Sequence, residues 1–311
     1  MSSVLTIGEA MVSVRTSAPM ELGGVARLSV AGSESNVAIG LARLGHEAAW
    51  LGVVGEDQPG RLISRTLRAE GVDTRFIRST GESFTGLVAF DQPLHDVTRV
   101  SYHRKGSAGS LLTAGECLAA LEDASPALLH LTGITPALSP AAGAATLAVA
   151  EAAHAAGVRV SVDVNYRARL WTRPQAARLL RPLLPYADIV FASDDELDIL
   201  TDASAPVSEL LGHGIGEVVV TAGAAGAHCR TAEGEHHQAA LPVTVVDSVG
   251  AGDAFVSGYL SALLDELPPA DRLLRGVTTG AFCVGAHGDW EALPTRQTLG
   301  LLTHTSGTAL R

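Results

Sequence analysis

The feature that most constrains the fold of this chain is a repeated alternation between short apolar runs and longer amphipathic segments. The short runs are predicted strands, at residues 4–7, 48–54, 128–132, 158–164, 189–192 and 217–221. The longer segments are predicted helices, at residues 36–44, 60–70, 141–156, 174–184, 253–264 and 271–284. Strands without polar alternation are typical of parallel strands that are buried on both faces. Strands and helices in this order predict an α/β fold with a doubly wound, mostly parallel sheet.

Two segments, at about residues 11–30 and 84–104, interrupt this rhythm because apolar and polar residues alternate along them. The stretch from Arg99 to His103 is an example. Alternation of this kind is typical of antiparallel strands with one solvated face. We therefore predict a single domain over residues 1–311, in which the two insertions form one small β-sheet that acts as a lid.

The charge balance excludes one broad class of function. The 311 residues carry a formal net charge of -11, and no run of Lys and Arg occurs. Proteins that bind nucleic acid normally present a basic face, so we expect no nucleic-acid partner. No apolar stretch reaches the length of about 18 residues that spans a bilayer, and no basic segment precedes the first predicted strand. We therefore expect no membrane association and a cytoplasmic location.

The three cysteines are odd in number and widely spaced. This pattern argues against a disulfide framework or a zinc site. It predicts that the cysteines are small buried hydrophobic residues.

The most informative local motif is the segment 245–255, where a β-like run enters a helix through Gly250-Ala251-Gly252. Small residues at such a turn let backbone N–H groups approach an anion, and the helix N-terminus adds the positive end of a dipole. Asp253 lies beside this cradle, where a carboxylate can accept the proton of an alcohol nucleophile. An ordinary loop followed by an acidic helix cap is the alternative, and it is the commoner explanation for Gly-Ala-Gly-Asp alone. The chain has no phosphate loop of the Gly-x-x-x-x-Gly-Lys-Ser/Thr type.

The whole string 247–255 resembles the C-terminal signature of the ribokinase-like (PfkB) sugar kinases, and the resemblance continues in the same order over nearly the whole chain. Residues 31–38 are similar to the family's sugar-binding turn Gly-Gly-x-x-x-Asn-x-Ala, with Ala31 in place of the first glycine. The resemblance implies a ribokinase-like fold and makes Asp253 the catalytic base. It assigns substrate binding to Gly32, Ser33 and Asn36. Taken alone, Asn36 would be interpreted as a helix N-cap.

Two further motifs resemble the family's nucleotide and magnesium elements. Residues 221–226 are similar to its nucleotide loop, and residues 193–196 to an Asn-x-x-Glu element that supports magnesium and phosphate. The resemblance implies that Glu196 holds Mg²⁺ through water. It implies ATP contacts from Ser193, Thr221, Gly223, Gly226, Gly250, Ala251 and Gly252. Ser193 replaces the family's asparagine and Ala222 stands where Lys or Arg is common, so we expect these changes to affect ATP affinity more than chemistry.

The resemblance carries two more expectations. Asp247 and Val249 fall where many relatives hold a monovalent cation with a side-chain oxygen and a backbone carbonyl, which implies a potassium site; a structural acceptor role for Asp247 is equally open. Lids in this family often pair between protomers, which implies a homo-oligomer that forms through the lid.

The segments 102–110, 129–139, 163–171 and 288–294 are similar to those of the 2-keto-3-deoxygluconate kinases of this family. A sugar acid brings a carboxylate, for which guanidinium is the best planar partner. Arg104 lies on the predicted lid and Arg167 just past a core strand, so both could reach one substrate beyond the carboxyl ends of the strands. The resemblance also assigns substrate binding to Tyr102, Ile134, Asp163 and Asn165.

These observations predict an ATP-dependent kinase with Mg²⁺ as its cofactor. Asp253 would take the proton from the terminal (C6) hydroxyl of a sugar acid, 2-keto-3-deoxy-D-gluconate, while the N–H groups of the 250–252 turn stabilise the phosphoryl charge. One alternative is a kinase for a neutral sugar such as fructose or ribose. The other is a sugar-binding protein with little kinase activity, which Ser193 and Ala222 would favour.

Overall fold

The computed structural model describes residues 3–94 and 97–303. Residues 95 and 96 of the predicted lid segment 84–104 lie outside the described residues, as do both ends of the predicted domain 1–311.

Strands and helices alternate along the described chain. The strands are β1 (Ser3–Ile7), β2 (Met11–Arg15), β3 (Arg27–Ala31), β4 (Glu47–Gly55), β5 (Ile77–Thr80), β6 (Leu87–Leu94), β7 (Val97–His103), β8 (Leu128–Thr132), β9 (Arg159–Asp163), β10 (Ile189–Ser193), β11 (Glu217–Thr221), β12 (Ala227–Thr231) and β13 (Gly234–Gln238). The helices are α1 (Ser33–Arg43), α2 (Gln58–Ala69), α3 (Ala114–Ala124), α4 (Pro140–Ala155), α5 (Arg173–Leu180), α6 (Leu197–Leu200), α7 (Pro206–Gly212), α8 (Ala251–Leu264) and α9 (Pro269–Val284).

The main sheet runs in the order β13–β12–β11–β10–β9–β8–β1–β4–β5. Every pairing from β11 to β5 along this order is parallel, and β12 and β13 add an antiparallel hairpin at one edge. Helices cover both faces, so successive strand residues enter different cores. Phe191 of β10 packs in the core that contains α1 and α8, whereas its neighbour Val190 packs in the core that contains α4. The predicted doubly wound, mostly parallel α/β fold is confirmed.

The connections of the main sheet turn in opposite directions from β1. The chain proceeds from β1 to β4 and β5 on one side, and then returns to β8 on the other side. Where the connections of neighbouring strands diverge in this way, a crevice forms outside the carboxyl ends of the strands, and open α/β sheets bind ligands there. The carboxyl ends of β1 and β8 therefore mark the expected location of a site.

A second sheet, called the small sheet below, has the order β3–β2–β6–β7. Its two hairpins, β2–β3 and β6–β7, are antiparallel as predicted. The hairpins are joined to each other by parallel pairing of β2 with β6. The expectation of antiparallel strands is wrong at this joint. β2 follows β1 after three residues, and Thr85, just before β6, is hydrogen-bonded through its N–H to Asp57 of the main body at 2.8 Å. Both strands therefore begin at the main body and run outward together.

Several boundaries differ from the predicted ones for local reasons. Helix α1 begins at Ser33 with Gly32 at its N-cap, so the interpretation of Asn36 as an N-cap is wrong. The predicted helix 174–184 ends as α-helix at Leu180 and continues as a 3-10 turn over Arg181–Tyr186, where two prolines remove N–H donors.

Cys117, Cys229 and Cys283 are buried and unpaired, as predicted. Across residues 3–94 and 97–303, no helix combines the length and the apolar character needed to cross a bilayer.

Candidate active site

A cleft of about 450 Å³ lies where the small sheet faces the carboxyl ends of the main-sheet strands and the start of α8. Most of the predicted site residues line it. They are Gly32, Ser33, Asn36, Tyr102, Arg104, Ile134, Asp163, Asn165, Arg167, Ser193, Glu196, Thr221, Val249, Gly250, Ala251, Gly252 and Asp253. Three predicted residues, Gly223, Gly226 and Asp247, do not line this cleft.

The Gly-Ala-Gly turn forms an open cradle at the N-terminus of α8. Gly250 has φ +78°, and a Cβ there would lie 2.2 Å from the carbonyl oxygen of Asp289, so only glycine fits. A Cβ on Gly252 would meet no atom within 4 Å apart from the backbone of its own helix and its chain neighbours, and this residue lines the cleft. The N–H groups that open a helix have no partner inside it. The Ala251 N–H has a long contact of 3.4 Å to the Ser248 carbonyl oxygen, and the turn otherwise presents its donors to an anion in the cleft, which fits the phosphates of a nucleotide.

Asp253 is held in a fixed orientation by three donors. The Ser33 hydroxyl donates to Oδ1 at 2.6 Å, the Asn36 amide to Oδ2 at 2.8 Å, and the Asn165 amide to Oδ1 at 3.4 Å. Ser33 and Asn36 belong to the first turn of α1, so this turn and the cradle of α8 are joined through one carboxylate. A carboxylate that lines the cleft beside an anion cradle can accept a proton from a bound hydroxyl group.

Asn165 and Asp163 support this arrangement from the end of β9. The Asn165 amide donates to Ser33 Oγ at 2.9 Å and to Asp163 Oδ2 at 3.1 Å. Burial raises the pKa of Asp163 well above its usual range, and the charges of Glu196 and Asp253 add to the effect. Burial and the neighbouring acids thus disfavour the charged form of Asp163, which the backbone N–H and side-chain amide of Asn165 partly offset through their hydrogen bonds.

The two arginines of the cleft differ in their pairing. Arg104 is buried and forms an ion pair with Glu9, to which its Nε donates at 2.7 Å. Ser107 also donates to Glu9, on its other carboxylate oxygen. Arg167 is exposed and makes no ion pair with any described residue. Arg167 therefore offers the cleft a guanidinium that forms no ion pair with a described carboxylate and acts on Asp163 only at longer range, whereas the charge of Arg104 is balanced by Glu9.

Glu196 ties two strand ends together. Its Oε1 accepts the N–H of Tyr166 at 2.6 Å, and its Oε2 accepts the N–H of Ser193 at 2.8 Å. Each carboxylate oxygen keeps a further lone pair, so this side chain can also accept hydrogen bonds from metal-bound water. The residues at this position thus fit a magnesium ion held through water. Ser193, in place of the family's asparagine, donates its hydroxyl to Asp195 at 2.7 Å.

The predicted nucleotide loop contributes only its first residue to the cleft. Thr221 ends β11 and lines the cleft, while Gly223–Ala225 form an exposed 3-10 turn. Gly226 has φ +101°, and a Cβ there would lie 2.1 Å from the carbonyl oxygen of Gln238. A glycine is therefore required at position 226, where the chain enters the β12–β13 hairpin.

One wall of the cleft was not predicted from the sequence, and most of it is apolar. Met11, Val88, Phe90 and Val100 of the small sheet line it, together with Asp289 from the loop after α9. The alternation in these strands indicated one apolar face. It did not indicate that this face turns toward the cleft, because the orientation depends on how the two hairpins join.

The predicted potassium ligands already have partners. Asp247 Oδ2 accepts from Arg15 Nη1 at 2.6 Å, and its Oδ1 accepts the N–H of Val249 at 3.1 Å. The carbonyl oxygen of Val249 faces the thiol of Cys283 at 3.4 Å. These residues do not fit a potassium ion in the predicted form.

A parallel sheet with an anion cradle and a carboxylate at its crevice defines a kinase-type site, and comparison with known proteins is consistent with this class. Residues 1–296 match the family described as pfkB family carbohydrate kinase. The 2-dehydro-3-deoxygluconokinase of Bacillus subtilis (strain 168) is 38% identical over 308 residues, which cover 95% of this chain and 93% of that protein. A fructokinase of Escherichia coli is 34% identical over 281 residues, which cover 86% of this chain and 90% of that protein.

Structural comparison gives the same result. The crystal structure of a PfkB protein from Polaromonas sp. JS666 matches with a TM-score of 0.85 and 34% identity, covering 96% of this chain and 99% of that one. The chain belongs to the pfkB family of carbohydrate kinases, and the ribokinase-like fold is confirmed.

Proposed function

We propose that this carbohydrate kinase transfers the γ-phosphoryl group of ATP to the terminal (C6) hydroxyl of a sugar acid, 2-keto-3-deoxy-D-gluconate. The observation that carries the acid assignment is the unpaired Arg167 guanidinium at the cleft that contains Asp253. A substrate carboxylate would supply the missing partner through a charge-assisted, two-pronged hydrogen bond. The name of the Bacillus subtilis relative, 2-dehydro-3-deoxygluconokinase, describes the same substrate and supports this assignment.

Asp253 would act as the general base. Its carboxylate takes the proton of the substrate hydroxyl, a bond forms between that oxygen and the γ-phosphorus, and the bond to the β-phosphate oxygen breaks to release ADP. Ser33 and Asn36 orient the carboxylate through bonds of 2.6 and 2.8 Å. The N–H groups of the 250–252 turn stabilise charge on the phosphoryl oxygens.

Magnesium bound near Glu196 would neutralise phosphate charge. The part played by this chain is to keep Glu196 in place through the backbone N–H groups of Tyr166 and Ser193. A water-mediated contact from Glu196 fits the preference of Mg²⁺ for retaining part of its water shell.

The small sheet would act as the lid of this cleft. Its apolar face, with Met11, Val88 and Phe90, lines the cleft, so closure would exclude water that competes as a phosphoryl acceptor. We also propose, from the family resemblance, a homo-oligomer formed through this sheet and a cytoplasmic location.

The test is ADP release from Mg-ATP over 2-keto-3-deoxygluconate, its galactonate epimer, gluconate, fructose and ribose, with Asp253→Asn as the inactive control. We expect turnover on the keto-deoxy acids and its loss in the control variant. Arg167→Ala should raise the KM for the acid by about tenfold to a hundredfold, because a charge-assisted pair is lost. Arg65→Ala is the matched control, since Arg65 is exposed on α2 and pairs with no described residue.

The second candidate is a kinase for a neutral sugar, favoured by the similarity to the Escherichia coli fructokinase. Turnover on fructose or ribose in preference to the acids would establish it. In that case Arg167→Ala and Arg65→Ala would behave alike, and the sugar-acid assignment would be wrong.

A further inference from the structure

Arg15, on β2 of the small sheet, reaches across to two carboxylates beside the anion cradle. Its Nη1 lies 2.6 Å from Asp247 Oδ2, and its Nη2 lies 3.4 Å from Asp289 Oδ1. The guanidinium carbon also lies 4.1 Å from the centroid of the Phe90 ring. The Arg15 side chain is 15% exposed, and both carboxylate side chains are less exposed than that. The positive charge of Arg15 therefore lies between two buried acidic residues. One of them, Asp247, shortly precedes Gly250 in the sequence.

The same position is where the family resemblance implied potassium. A potassium ion needs several oxygen ligands, yet both oxygens of Asp247 already accept hydrogen bonds, one of them from a cation. The carbonyl oxygens of Val249 and Asp289 both face the Cys283 thiol, at 3.4 and 3.5 Å. A second cation here would lie against the Arg15 guanidinium and be repelled by it.

We infer that the Arg15 guanidinium replaces the monovalent cation in this protein, so that binding of Mg-ATP does not depend on potassium. The charge it supplies is fixed to the chain and does not exchange with solvent. It comes from the small sheet, whereas the carboxylates it neutralises belong to the main body. The cradle therefore receives this charge only when the small sheet lies in its present position.

This inference concerns the nucleotide half of the proposed kinase site, so its test uses Mg-ATP without an acceptor. The dissociation constant of Mg-ATP is measured by calorimetry in potassium chloride and in tetramethylammonium chloride at equal ionic strength. For the unmodified protein we expect values that agree within about twofold. An error in the proposed sugar acid would leave this measurement unchanged.

Arg15→Gln should lose affinity for Mg-ATP by about tenfold or more in tetramethylammonium, because the buried Asp247 carboxylate is left without its counter-charge beside the phosphates. Potassium, ammonium or methylguanidinium should restore part of that loss. Potassium should also raise the unfolding temperature of Arg15→Gln but not that of the unmodified protein. Arg15→Lys keeps the charge and should remain independent of potassium, which provides a second test if the glutamine variant folds poorly.

Arg27→Gln is the matched control. Arg27 is the register partner of Arg15 on β3, is exposed, and forms no ion pair with the described residues. It should bind Mg-ATP as the unmodified protein does in both salts. Severalfold tighter binding of Mg-ATP by the unmodified protein in potassium would overturn the inference. Loss of binding in Arg15→Gln that no cation restores would overturn it as well.

Discussion

At the scale of single residues, the cleft is shaped by which charges are compensated within the protein. Arg104 and Arg167 both line it, but Arg104 is already paired with Glu9, which is only 2% exposed. Glu9 lies between β1 and β2, and Arg104 directly follows β7, so this pair also fastens the small sheet to the main body. We therefore expect Arg104 to help hold this wall of the cleft in place, in addition to the substrate contact that the resemblance assigns to it.

Removing one member of this pair should be costly. Arg104→Met leaves the Glu9 carboxylate buried without its counter-charge, and we expect a loss of about 3 to 5 kcal/mol in the free energy of unfolding. The double variant Glu9→Gln/Arg104→Met should recover much of that loss, because no charge is then left unpaired. Urea unfolding of the single and double variants measures both effects.

The control for this comparison is Arg75→Met, which breaks exposed pairs with Asp73 at 2.8 Å and with Asp123 at 3.3 Å. An exposed pair contributes less than about 1 kcal/mol. Equal losses in Arg104→Met and Arg75→Met would contradict the view that the Glu9–Arg104 pair is a buried fastening of the small sheet.

At the scale of elements, the first turn of α1 depends on Glu34. This side chain is fully buried, and its Oε1 accepts the hydroxyls of Thr132, the last residue of β8, at 2.5 Å and of Thr135, just after β8, at 2.7 Å. Burial raises its pKa from the ordinary value of 4.5 to about 7, while the two threonine hydroxyls oppose that change and the charge of Asp253 adds slightly to it. The same turn carries Ser33 and Asn36, so Glu34 helps to place the donors that hold Asp253.

The raised pKa of Glu34 predicts how stability changes with pH. Because the folded state binds this proton more tightly than the unfolded state, the contribution is fully present below pH 4.5 and is lost as pH rises through about 7. Glu34→Gln removes the titration, so its stability relative to the unmodified protein should rise by about 2 to 3 kcal/mol between pH 5 and pH 8. Urea unfolding at the two pH values measures the difference.

Glu47→Gln makes the same chemical change at the exposed start of β4 and serves as the control. It should show the same pH dependence as the unmodified protein. If Glu34→Gln keeps that dependence too, then the Glu34 carboxyl is not the group responsible.

Periodicity along the chain was enough to predict the elements that bring the site together. The predicted strand ends at 164, 192 and 221 lie within one residue of the observed ends, and the helix predicted from residue 253 begins two residues earlier, at Ala251, because each boundary depends on neighbouring residues in sequence. The pairing of Arg15 with Asp247 could not be inferred from the sequence, since the two residues are 232 positions apart and Arg15 lies in an ordinary alternating strand. The parallel joint between β2 and β6 was missed for the same reason, because it depends on where both hairpins leave the main body.

At the scale of the whole molecule, the small sheet leaves apolar side chains uncovered. Leu22, Val25 and Leu28 are all exposed, in β3 and the loop before it. Exposed apolar surface commonly marks places where proteins associate. Together with the family resemblance, this surface leads us to expect that the chain forms a homo-oligomer through the small sheet.

Leu28→Asp should therefore reduce the molar mass in solution to that of the 32.0 kDa chain, since a charge buried in an apolar interface has no partner there. Size-exclusion chromatography with light scattering measures the mass directly. Leu274→Asp is the matched control, because Leu274 is an exposed leucine on α9, in the main body, and this variant should keep the mass of the unmodified protein. An unmodified protein of 32.0 kDa would contradict association altogether. Loss of association in Leu274→Asp but not in Leu28→Asp would move the interface from the small sheet to the main body.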